Sequence, residues 1–77
     1  MCKLPCVTLT WSGDQTRGIH IDRRRFNQNR WSFQEDIVPE KLIWIDNGVP
    51  KNTRLCYRIR YLGEVETTPE ICLITGR

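Results

Sequence analysis

The stretch Thr53-Arg54-Leu55-Cys56-Tyr57-Arg58-Ile59-Arg60-Tyr61 constrains the fold more than any other part of the chain. Leu55, Tyr57, Ile59 and Tyr61 alternate with Arg54, Cys56, Arg58 and Arg60. Successive side chains of a strand point to opposite faces, so one face is apolar and the other basic. At about 3.6 residues per turn the same four apolar side chains would scatter around a helix. The pattern reads as a strand laid over the core of a small all-β domain.

Other segments repeat the alternation. Val7, Leu9 and Trp11 share one face of Val7-Thr8-Leu9-Thr10-Trp11. In residues 18–23, Ile19 and Ile21 point inward while His20 and Asp22 point outward. Trp31-Ser32-Phe33 reads as a short strand, residues 41–46 as another, and residues 70–75 as the last. Between them lie a turn at 12–15, a polar loop at 24–30, a turn at 47–50 and a hairpin loop at 63–68. Residues 37–40 are expected to be loop, because Pro39 removes a ladder donor. No helix, repeat or linker is visible. Short strands broken by Gly, Pro and Asn predict a small antiparallel β-sandwich. One domain spans 1–77, with an irregular stub at 1–6. Its core is expected to contain Trp11, Ile19, Ile21, Trp44, Leu55, Tyr57, Ile59 and Tyr61.

A chain of 77 residues buries only about 60–65% of its unfolded surface, so a staple would matter. No apolar run is long enough to span a bilayer. The opening Met-Cys-Lys-Leu-Pro-Cys lacks the apolar region of a signal peptide. An intracellular chain, a removed leader and an excised fragment all stay open. Net charge is +3, and nine of the twelve basic residues are Arg. That excess is mild. It fits a solvated sheet surface better than a nucleic-acid or polyanion surface built from Arg23, Arg24, Arg25, Arg58 and Arg60. The run Arg23-Arg24-Arg25 is short for a nucleic-acid arm, and no outward aromatic is expected to interleave with it.

The segments taken together resemble a fibronectin type III domain. Val7-Thr8-Leu9-Thr10-Trp11 is similar to that family's second strand with its core Trp. Asp46-Asn47-Gly48-Val49-Pro50-Lys51-Asn52-Thr53-Arg54-Leu55 resembles the corner before the sixth strand, with Leu55 where Tyr is usual. Tyr57-Arg58-Ile59-Arg60-Tyr61 resembles the sixth strand, and Ile71-Cys72-Leu73-Ile74-Thr75 the last. The resemblance implies an immunoglobulin-like sandwich whose first strand is short or missing. The smaller sheet would then hold 7–11 and 41–46 alone, with one edge open to another strand. That implies dimerisation through the 7–11 edge or capture of a peptide by strand addition.

Four cysteines are dense for a short chain. If the last two strands form a hairpin centred near Glu64, Cys56 lies opposite Cys72, within reach of a bridge. Cys2 and Cys6 would be ~13–14 Å apart in an extended chain, too far to bond. A turn at Leu4-Pro5 could join them, or they could pair across a dimer. A four-cysteine zinc set is the alternative, but the C-x-x-C knuckle is absent and His20 has no His companion. No metal site and no cofactor are expected.

Arg54, Arg58 and Arg60 face outward beside His20, Asp22 and Arg24 on the strand that should neighbour them. They form one candidate recognition face. The Glu64 and Glu66 loop and an exposed Trp31 are two further candidate contacts. No paired carboxylates, phosphate-cradling loop or H-E-x-x-H motif is present, so an enzyme is not expected. The expected function is a protein–protein interaction module. Polyanion binding and a structural spacer are the alternatives. Paired cysteines would favour an extracellular or virion setting.

Overall fold

The computed structural model describes residues 2–76. Six strands are present: β1 (Cys6–Thr10), β2 (Ile19–Arg25), β3 (Ser32–Ile37), β4 (Ile43–Asn47), β5 (Arg54–Tyr61) and β6 (Ile71–Ile74). They form two antiparallel sheets, ordered β1-β4 and β3-β2-β5-β6, packed as a small sandwich. Among the described residues no helix is long and apolar enough to cross a membrane. Met1 of the expected stub lies outside the described residues. Residues 2–5 of the stub form no strand, but Cys6, expected in it, is the first residue of β1. Lys3 and Pro5 instead accept from the N–H groups of Gly48 and Val49, at the end of β4.

β5 follows its alternation. Leu55 and Tyr57 are buried against Ile19, Ile21, Ile37, Val7, Trp44 and Val49. Ile59, Tyr61 and Trp11, also expected inside, pack against this core but remain half-buried. The larger sheet has four strands and the smaller one two, so part of the inner face has no cover. Loop 12–16 is fixed from below by Tyr61. The Asp14 N–H donates to the Tyr61 hydroxyl at 2.8 Å, and any Cβ on Gly13 would collide with that oxygen.

Two sequence expectations need correction. β3 continues through Ile37, which is 2% exposed, so the loop begins only at Val38. A register shift between Ile21 and Asp22 breaks the period across β2 and β3. The middle of β3, Gln-Glu-Asp, is an edge segment that carries charge and does not alternate. β2 also runs two residues past Arg23, so Arg24 and Arg25 belong to a strand and not to the polar loop.

That extension splits the basic run. Arg23 shares parity with Ile19 and Ile21 and turns inward. Its Nη1 donates to Oδ2 of buried Asp46. The Tyr57 hydroxyl donates to the same oxygen at 2.7 Å. Burial, reinforced by this bond to Asp46, pushes the Tyr57 phenol well above the usual tyrosine range. The folded chain therefore holds that proton more tightly than the unfolded chain. Its contribution to stability is full below a pH of about 10 and is lost as the pH rises further. Urea unfolding between pH 8 and pH 11 should show the difference between wild type and Tyr57→Phe shrinking as pH rises. Parallel curves would contradict the buried phenol.

Candidate functional site

The outward face of the larger sheet carries the predicted Arg group, and its residues point as expected. Their surroundings differ from a solvated face. Asp22 is 7% exposed because other side chains lie over it. Arg58 Nε donates to Asp22 Oδ2 at 3.1 Å, and its guanidinium lies 4.3 Å from the Trp31 ring centre. Arg24 meets the same indole at 5.0 Å. It grips both carboxylate oxygens of Glu70, at 2.9 and 2.8 Å, and donates to the carbonyls of Phe26 and Gln28. Arg54 stacks over Phe26 at 3.7 Å, and Arg60 donates to the Glu64 carbonyl at 2.7 Å.

Aromatics do interleave with this basic face, contrary to the sequence expectation. Trp31 sits beside Arg24 and Arg58, Phe26 beneath Arg54, and the Phe33 ring 4.8 Å from His20. Phe26 lies in a loop, where strand parity gives no orientation, and Trp31, expected to open a strand, lies just before β3. The arrangement joins cations to rings within the molecule. It does not leave the ring faces free to stack on bases.

His20 lies between two carboxylates. Nδ1 is 2.9 Å from Asp36 Oδ1, and Nε2 is 2.9 Å from Asp22 Oδ1. Both ring nitrogens are thus occupied, and neither faces a nucleophile. The thiols are joined as Cys2–Cys6 and Cys56–Cys72. Cys56 and Cys72 oppose each other directly in the β5–β6 register, as the hairpin centred on Glu64 requires. The chain bends at Leu4-Pro5 and brings the Cα atoms of Cys2 and Cys6 to 5.9 Å. Glu70 lies close to Cys56 and Cys72. Two sulfurs bonded to each other are not thiolate ligands, however.

The second surface is the edge of β1. Trp11 N–H donates to the Leu42 carbonyl at 3.2 Å, just beyond the Thr10–Ile43 pair. Hydrogen bonding alternates along an antiparallel strand, so Leu9 and Val7 also bond toward β4. The backbone groups of Cys6, Thr8 and Thr10 point the other way. Among the described residues no strand meets them. β1 contains no charged residue and no proline, the usual guards of an exposed edge.

A cleft runs below this edge. One part, about 190 Å³, is lined by Leu9, Trp11, Tyr57, Ile59, Thr68 and Ile71. An adjoining part, about 250 Å³, shares Trp11, Ile59 and Thr68 and is rimmed by Glu64 and Glu66. Thr68 stays on β5 through its N–H to the Ile59 carbonyl at 2.8 Å, which fixes the 64–68 segment as one wall of the cleft. Ile71 pairs with Tyr57 and shares its core-facing side, yet it is 62% exposed. Sequence reasoning missed Ile71 as a site residue. Its parity placed it inside, and only the mismatch of two strands over four exposes it.

No protein-family model matches the chain, and neither a curated protein nor a solved structure does so significantly.

Proposed function

We propose that this domain is a non-catalytic protein–protein interaction module that accepts an added strand along the free edge of β1. The observation that carries the reading is Ile71, an inward-facing apolar side chain beside an unpaired strand edge and left in solvent. An added strand would use the outward N–H and C=O groups of Cys6, Thr8 and Thr10. It would place alternate side chains over Leu9, Trp11, Ile59 and Ile71. The pairing of β1 with β4 alone is the arrangement that the fibronectin type III resemblance implies for a short first strand. Two disulfides suit work in an oxidising compartment.

The outward arginines favour a supporting role. A polyanion would have to displace Asp22 and Glu70 from Arg58 and Arg24, which weakens the polyanion alternative. Catalysis has little to work with, since both nitrogens of His20 are engaged and the four thiols are bonded.

Thr8→Pro tests the edge with little disturbance, because the lost N–H points away from β4. An array of extended heptapeptides, each with apolar residues at alternate positions, supplies the probe. Wild type should bind a subset of them at micromolar level, and Thr8→Pro should lose at least tenfold in affinity. Equal binding by both proteins, or none by wild type, would sink the reading.

A further inference from the structure

We infer that the Cys56–Cys72 bridge is a site of thiol–disulfide exchange, opened by an external thiolate at Cys72 with Cys56 as the leaving sulfur. The inference goes beyond strand addition and stands on the opposite, outward face of the larger sheet.

The two sulfurs have unlike surroundings. Cys56 lies on the central strand β5 and is 0% exposed. Cys72 lies on β6, the last strand of the sheet, and is half-buried. On its own face Cys56 is flanked by Arg54 and Arg58, and its register partner on β2 is Arg24. β5 runs between β2 and β6, so Arg24 reaches Glu70 across Cys56 and covers it. Cys72 is flanked instead by Glu70 and Ile74, and the Glu70 carboxylate comes to 4.0 Å from Cys72 Sγ.

A thiolate displaces one sulfur from the other along the S–S axis, so it approaches from the side opposite the leaving sulfur. For Cys72 that side is the free edge of β6, beyond which no strand lies among the described residues. For Cys56 it is the β2 side, which Arg24 closes. The leaving group selects the same direction. The departing sulfur keeps the electron pair of the broken bond, and cations close to it favour that charge. Three guanidinium groups surround Cys56. Arg58 and Arg24 share theirs with Asp22 and Glu70, while Arg54 stacks on Phe26. A charge left on Cys72 would sit against the Glu70 carboxylate instead.

In the first step the incoming thiolate bonds to Cys72 Sγ, the bridge breaks, and Cys56 Sγ carries the negative charge. Cys56 can then attack Cys72 Sγ, expel the thiolate and restore the bridge. Alternatively a second thiolate attacks the external sulfur of the mixed disulfide. Both cysteines are then reduced, and the two external thiols are oxidised to one disulfide. Arg24 on Glu70 just before β6, and Thr75 bonded to Thr53 and Pro50 just after it, keep the opened sulfurs opposite each other for reclosure. Ile71 begins the same strand, so the state of the bridge reaches the cleft.

Reduced glutathione is the probe, added to the folded wild-type chain, quenched with acid at early times and mapped by peptide mass. The map separates this bridge from Cys2–Cys6. The mixed disulfide should form on Cys72 about tenfold more often than on Cys56. Arg54→Gln should slow the opening about three- to fivefold, the effect of one exposed charge, without moving the adduct. Unfolding would expose the bridge and speed its cleavage, so slower opening cannot come from a lost fold. Arg24→Gln uncovers Cys56 and removes a cation beside it, and should bring the two sulfurs within about threefold of each other. An adduct shared equally in wild type, an unchanged rate in Arg54→Gln or an unchanged ratio in Arg24→Gln overturns the inference. An opening rate that follows global unfolding across a urea series does so too, because thiols would then reach the bridge only in the unfolded chain.

Discussion

Asp46→Ala is expected to cost about 3 kcal/mol of folding stability, the low end of the range for breaking a buried charge pair. Asp46 is buried and takes two donors on one oxygen, from Tyr57 and Arg23. Removing it strands a guanidinium and a phenol under β4. Water relieves part of the cost, because the Arg23 side chain is 28% exposed. A domain of this length has only about 4–12 kcal/mol in total, so the variant should be marginal. The cause can be checked by addition. Combining Asp46→Ala with Arg23→Met and Tyr57→Phe should recover most of the loss, because no polar group is then orphaned. Urea denaturation followed by tryptophan fluorescence reads the difference, with Trp44 only 6.4 Å from the Tyr57 ring. A loss under about 1 kcal/mol for Asp46→Ala, the scale of an exposed ion pair, would mean that the trio is open in solution.

The same trio shows what could be read from the chain. Period two runs from Ile19 and Ile21 straight to Arg23, and from Trp44 to Asp46. Parity alone would have sent Arg23 and Asp46 inward as opposite charges. The run of three arginines masked that signal by suggesting one basic patch. β5 was legible because every charge in it lies on one face. β3 was not, because an edge strand with both faces partly wet has no apolar face to repeat, and the shift beside Asp22 breaks what period remains. Asp22 was correctly placed outward, but its burial depends on Arg58 and His20 closing over it. Such depth comes from residues distant in sequence. The edge of β1 was legible only through the resemblance, which implies a short first strand. The cleft was not, since its floor joins Leu9, Ile59 and Ile71 from three separate strands.

The Cys56–Cys72 bridge carries the other large expected effect. The two residues face each other across the ladder with Cα atoms 4.0 Å apart, and 16 residues separate them in sequence. On the chain-entropy account, closing such a loop restricts the unfolded chain by about 3 kcal/mol. Cys2–Cys6 spans only four residues, and the same account gives about 2 kcal/mol. Cys56→Ala with Cys72→Ala should therefore lower the midpoint of thermal unfolding by roughly 10–20 °C. Cys2→Ala with Cys6→Ala should lower it by less. The larger bridge also bears on function. β6 is four residues long and pairs with β5 alone; besides the bond and four ladder pairs it is held at its ends, by Arg24 on Glu70 and by Thr75 bonded to Thr53 and Pro50. Ile71 is the first residue of β6 and part of the cleft floor. If the bond keeps β6 seated, its loss should raise amide exchange through β6 before the rest of the sheet opens, and should weaken strand addition in step. Unchanged exchange in β6 with a midpoint within about 3 °C of wild type would show that the ladder alone holds the strand. The bridge would then be a passenger in a sheet already closed.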